Sequence, residues 1–213
     1  ADAGDEEVLA LLADQLAAAI RSAELSRREA ERAGREELLT HIGQAVNSSL
    51  DLGEVLQQAV VKVGAALKAD RCTLGQIDLA ARVLITRHEY VSPVLYERRS
   101  LKGQMALEAS LAGLAEHLQA GEVIISAEGS VHPVLHDVWG EFSGRYGIRS
   151  LAWVPILGQS PDRSYSLALM HLTHPRRWSD ADVALLRAIA DQLALALHNA
   201  RLFDAVQQSA REL

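Results

Sequence analysis

Histidines and arginines carry most of the potential chemistry in this sequence. His132 and His136 stand four apart with Asp137 beside the second, a spacing that lets two imidazoles share one helical face and hold a metal ion. Pro133 between them and the lack of a neighbouring cysteine weigh against that, and a solvated or pocket-lining pair is the preferred reading. His171 and His174 straddle the end of an apolar alternating segment, where strand geometry sends them to opposite sides and His171 toward any pocket. A haem would need one axial histidine, and His88, His117 and His171 are the candidates. Arg87, Arg98, Arg99 and Arg149 are of the type that frames a carboxylate or phosphate, set against scattered surface charge as the plainer account. Trp139, Tyr146 and Trp153 are aromatic residues for a pocket wall or for the core. Cys72 is the single cysteine and lies mid-strand on the face of Leu74, so it reads as a buried thiol in a reducing compartment. Phosphate-cradling glycine loops, a nucleophile elbow and paired cysteines are all missing, and no catalytic set can be assembled. No metal site and no enzymatic activity are expected.

The elements that must position these residues follow from period and caps. Leu39, Ile42, Ala45, Val46 and Leu50 continue a helical pattern. Asp51 and Glu54 form a capping signal for a helix that buries Leu56, Val60, Val63 and Leu67. RCTLGQID and RVLITRHEYV alternate around a short turn and predict a hairpin. Ser92 to Gly103 reads as a loop, and Gln104 to Gln119 as a helix on its Leu107, Leu111, Leu114 and Leu118 stripe, ended by Gly121. EVIIS is a short strand, and a short helix runs from His132 to Tyr146 and stops at Gly147. IRSLAWVPILG and SYSLALMHLT make a second hairpin around QSPDR, and Ser179 caps a last helix with Asp180 and Asp182 in its first turn. Hairpins near both ends of one sheet, with helices between and outside them, predict a three-layer α+β domain.

A formal net charge of −7 with no dense basic run argues against a nucleic-acid partner or direct membrane contact. The sequence shows no bilayer-length apolar run and no secretory signal, so a cytoplasmic location is expected.

One stretch is written twice. DEEVLALLADQLAAAIRSAEL, beginning at Asp5, and DVALLRAIADQLALALHNARL, beginning at Asp182, are identical at about half of their aligned positions. Leu9, Leu12 and Leu16 in the first copy, and Leu186, Ile189, Leu193, Ala196 and Ala200 in the second, form apolar helical stripes. These are predicted as the seam of a homodimer through the terminal helices.

ALKADRCTLGQID, YGIRSLAWVPILG and above all WSDADVALLRAIADQLALALHNARLF resemble the GAF family of sensory domains, over nearly all of Leu38 to Phe203. The first copy, ADQLAAAIRSAEL, is similar to the end of another such domain. The resemblance implies a GAF-like domain with a central antiparallel six-stranded sheet, flanked by long N- and C-terminal helices, with a ligand pocket on one side. His88, Arg149, Trp153, Trp139, His171 and Tyr146 are the residues expected to line it. LALMHLTHPRRWSDAD is similar to the corresponding part of bilin-binding GAF domains. Their attachment cysteine is replaced here by the neighbourhood of Val138 and Trp139, which excludes covalent bilin at the usual site. The expected organisation is residues 1–37 as the end of a preceding domain plus connector, 38–203 as the sensory domain and 204–213 as the start of an output connector. The resemblance implies a sensory and dimerisation module of a bacterial signalling protein such as a histidine kinase, without a necessary cofactor; a haem- or bilin-binding gas or light sensor is the alternative.

Overall fold

The computed structural model describes residues 3–48, 51–78, 81, 83–95, 100–106, 109–158 and 163–211. The chain divides into two compact units, Ala1–Leu38 and Leu39–Leu213. The first consists of most of helix α1 (Ala3–Ser48), which runs through Gly34 without interruption. A glycine inside a helix costs about 1 kcal/mol relative to alanine, and the long run of helix formers on either side absorbs that.

The second unit carries α2 (Leu52–Ala66), β1 (Arg71–Asp78), β2 (Val83–Val91), β3 (Gly103–Ala106), α3 (Ala109–Gln119), β4 (Ile124–Ala127), α4 (His136–Tyr146), β5 (Ser150–Ile156), β6 (Arg163–His171) and α5 (Asp180–Arg211). The Asp51 carboxylate accepts from the Glu54 backbone N–H at 3.1 Å, which starts α2 as its sequence predicts. At α5 the exchange is reciprocal. Ser179 Oγ accepts from the Asp182 N–H at 3.2 Å, and Asp182 Oδ2 accepts from the Ser179 N–H at 3.1 Å.

The six strands form one antiparallel sheet in the order β3-β2-β1-β6-β5-β4. Helices α2 and α5 cover one face, while α3 and α4 lie over the other. Strand β3 corrects the expected loop and early helix start. Gln104 to Ala106 belong to an edge strand paired with Val83 to Ile85, residues 107 and 108 lie outside the described residues, and α3 spans Ala109–Gln119. Four residues at an edge are too few for their alternation to compete with the leucine pattern that follows.

Alternation sorts the central strands. Arg71, Thr73 and Gly75 of β1 pair with Met170, Ala168 and Ser166 of β6 on the α3/α4 face. Cys72 and Leu74 pair with Leu169 and Leu167 on the other. A register shift between Leu74 and Gly75 pairs Leu74 with His88 and Gly75 with Thr86.

The dimer seam expected on α5 is corrected by burial. Leu186, Ile189 and Leu193 are fully buried and Ala196 nearly so within their own chain, where α5 packs on β5 and α2; Ala200 is half-buried. Burying a leucine contributes about 1.5–3 kcal/mol, so covering the sheet uses this stripe inside the chain. On α1 the matching Leu12 and Leu16 are 55% and 63% exposed, and the Leu9 side chain lies outside the described part.

Candidate functional site

On the α3/α4 face the sheet is not fully covered. A cavity of about 520 Å³ opens between β1, β2, β5, β6, the start of β3 and the end of α4. Its apolar wall is Leu84, Phe142, Tyr146, Leu151, Trp153 and Met170. Trp153 is fixed by its indole N–H, which donates to Ser166 Oγ at 2.9 Å. Tyr146 meets Phe142 edge-to-face, with ring centroids 6.3 Å apart.

The polar part of the cavity is cationic. Arg71, Lys102 and Arg145 all line it. Arg71 lies 3.3 Å from Glu89 Oε1, and both side chains are buried, at 4% and 3% exposure. Glu89 is held in turn by the Ser100 hydroxyl and, at 3.0 Å, by the Leu101 backbone N–H. Such a pair gains little net stability, yet removing one partner strands the other charge. Arg145 bonds Glu141 at 3.1 Å and sits over the Tyr146 ring. Three guanidinium or ammonium groups beside an aromatic wall suit a small molecule with a flat apolar body and an acidic group.

The structure brings Trp153 and Tyr146 together in this cavity and packs Trp139 against the apolar cluster beneath it. His88, Arg149 and His171, expected to line the cavity, lie outside it. His88 pairs with Leu74, on the opposite face, where burial and the charges of Lys102 and Arg87 hold it below the ordinary imidazole range. Arg149 lies outside the cavity and donates to Glu128 at 3.0 Å and to the Thr173 carbonyl at 3.3 Å. His171 follows Leu167 and Leu169 onto the helix face. Its ring lies 5.5 Å from both His174 and Trp178, so the two histidines are neighbours because the strand ends at His171 and the chain bends. Burial, then the charge of Arg176, pushes His171 down to about 4 and keeps it neutral.

Of the other candidates, Arg87 donates to Gln76 at 3.2 Å, while Arg98 and Arg99 lie outside the described residues. His132 Nδ1 accepts from the Val134 N–H at 3.3 Å, and its Nε2 is 3.0 Å from Glu122, which also bonds His117. His136 meets the Val131 carbonyl instead, so the two histidines do not share a helix face. Among the described residues no group of three acidic, histidine or cysteine side chains is placed to hold a metal ion. None of the three haem-ligand candidates lines the cavity.

Sequence reasoning missed Arg71 and Glu89. The signal was present in RCTLGQID, where Arg71, Thr73 and Gly75 put polar or small residues on one face and Cys72 and Leu74 put apolar ones on the other. A strand polar toward one layer borders a cavity or water.

The HPRRW run builds the joint between the sheet and α5. The Arg176 guanidinium donates to the Leu67 carbonyl, pairs with Asp182 at 3.1 Å and stacks on Trp178 at 4.8 Å. Next to Arg71, the Asp70 carboxylate accepts from the Leu172 N–H at 2.7 Å and from the Thr173 N–H and hydroxyl at 2.8 Å. Burial raises Asp70, but these bonds outweigh it and hold the group below the usual carboxylate range.

A GAF domain family model matches residues 51–197. The circadian input-output histidine kinase CikA of Thermosynechococcus vestitus is 29% identical over 188 residues, covering 84% of this chain and 25% of that protein. Its counterpart in Synechocystis sp. is 26% identical over 209 residues, covering 88% and 27%. The chain therefore spans about a quarter of the length of the curated relatives it matches. Among solved structures, the phycoerythrobilin-bound GAF domain from a cyanobacterial phytochrome superposes with a TM-score of 0.68 at 21% identity, covering 80% of this chain and 97% of that one. A free methionine-R-sulfoxide reductase from Neisseria meningitidis gives 0.60 at 15% identity, covering 79% and 90%. At these identities the likeness is one of fold.

The residues present do not fit a thioether-bound bilin. Cys72, the single cysteine, is buried among the helix-face residues, where burial pushes its thiol far up. Among the described residues no helix is long and apolar enough to cross a membrane. With the expected sheet, the flanking helices and the matched 51–197 segment in place, the chain belongs to the GAF domain family.

Proposed function

We propose that this is a non-enzymatic sensory module of a signalling protein, which binds a small aromatic or otherwise flat anion in the Arg71 cavity and reports it through α5. The observation that carries this reading is the buried Arg71 to Glu89 pair in the wall of a 520 Å³ cavity. An incoming acid group competes with Glu89 for the guanidinium, and Arg71 adjoins Asp70, which holds Leu172 and Thr173. The same loop continues to Arg176 and its pair with Asp182 in the first turn of α5. A two-state shift along this route needs only that ligand favour one arrangement. The histidine kinase relatives support a kinase output for the whole protein. Self-association, in this reading, uses the outward edge of α5, where Leu195 and Leu202 stand seven apart and are 47% and 53% exposed.

Thermal unfolding with about 1 mM benzoate, phenyl phosphate or biliverdin tests the binding step, since saturating ligand raises Tm by several degrees. A rise that vanishes in Ala168→Phe, which fills the cavity, is expected. No rise with any of them, or the same rise in the filled variant, contradicts the reading. A coloured complex with biliverdin alone would select the bilin alternative without a covalent bond.

A further inference from the structure

The burial of α5 shows which positions of the repeated helix cover a sheet. Between Asp182 and Leu202, eight residues are buried against the chain's own core: Asp182, Leu185, Leu186, Ile189, Ala190, Leu193, Ala196 and Leu197. In the first copy the aligned positions are Asp5, Val8, Leu9, Leu12, Ala13, Leu16, Ala19 and Ile20. Five of the eight are identical, and the other three exchange one branched aliphatic residue for another. At the thirteen remaining positions five are identical, Asp14, Gln15, Ala17, Ala23 and Leu25, while others change polarity: Glu6 against Val183, Glu7 against Ala184, Ala10 against Arg187, and Glu24 against Arg201. The match is thus densest on the face that covers the sheet, where every difference is one aliphatic residue for another.

Covering a sheet demands more than an apolar stripe. Alanines at Ala190 and Ala196 sit between the larger residues, and Asp182 stands at the helix start, where it caps. The first copy keeps both small residues, as Ala13 and Ala19, and the aspartate, as Asp5. In α1 the stripe has no cover: Leu12, Leu16 and Ile20 are 55%, 63% and 50% exposed among the described residues.

We infer that residues 5–25 of α1 are the sheet-covering helix of a second GAF domain, and that the Leu12, Leu16 and Ile20 face docks on the sheet of that domain rather than on another copy of this chain. The occupant is a face of the kind α5 covers here, in which β5 contributes Ala152 and Val154 and β6 contributes Leu167 and Leu169. The inference rests on the repeat and the burial of α5, and is independent of what the Arg71 cavity binds.

Grafting tests it. The 213-residue chain is prepared with residues 182–202 replaced by the sequence of residues 5–25. The expected result is a cooperative thermal transition with Tm lowered by no more than about 10 °C, because only conservative aliphatic exchanges enter the core. Loss of the cooperative transition overturns the inference, and it does so whether or not a control with Leu185→Val, Ile189→Leu and Leu197→Ile alone still folds. In the natural sequence, Leu12→Asp with Leu16→Asp should leave the mass measured by light scattering unchanged. A drop from dimer to monomer would assign the stripe to a second copy and also overturn it.

Discussion

The two faces of the sheet are built from the same strands and do opposite things. Toward α2 and α5, β1, β5 and β6 present Cys72, Leu74, Ala152, Val154, Leu167 and Leu169, all buried and closely covered. A Cβ added to Gly64 of α2 would lie 2.2 Å from the Tyr90 ring, a measure of how close helix and strand approach there. Toward α3 and α4 the alternate residues include Arg71, Thr73, Gly75, Ser166 and Ala168, which leave a cavity and a buried charge pair. The difference teaches that one-residue alternation is enough to separate a closely packed face from one that borders a cavity.

The largest effect expected is on the cavity face. Arg71→Met leaves Glu89 buried without its ion-pair partner and should cost about 3–5 kcal/mol in urea unfolding. Adding Glu89→Gln should recover most of that loss, and a double-mutant cycle without such coupling would break the comparison. The helix face answers with a pH effect. His171 has a folded pKa of about 4, below its unfolded value, so the unfolded chain takes up the proton first. Stability is therefore complete above about pH 6.5 and should fall by roughly 2–3 kcal/mol as pH drops toward 4, and His171→Leu should remove that slope. Below that window the depressed carboxyls of Asp70 and Asp182 are protonated in turn and add a further loss. Asp70→Asn, measured at neutral pH, should cost about 2 kcal/mol by weakening three hydrogen bonds to a charged acceptor. Smallest is Ser166→Ala, which leaves the Trp153 indole without its acceptor, at about 1 kcal/mol.

Much of this fold is legible in the residues. The caps at Asp51 and Ser179, the two hairpins and the stop at Gly147 need only local chemistry, and the structure has each of them. The site was less legible because it depends on which way each strand faces. His171 was expected in the cavity, but strand alternation sets only relative sides, and Leu167 and Leu169 carry it to the helices. His88 depends on the register shift at Leu74, which no local pattern announces. The α5 stripe alone predicts an intermolecular seam as readily as sheet cover, because a helical stripe looks the same whether a sheet or a second helix covers it.

The most direct test of the division between the faces is the indole N–H resonance of each tryptophan, assigned by Trp139→Phe and Trp178→Phe, during a titration with benzoate. The account predicts a saturable shift of Trp153, no shift of Trp178, and at least tenfold weaker binding in the Arg71→Met, Glu89→Gln double variant. A silent Trp153, or equal binding by the double variant, would contradict it.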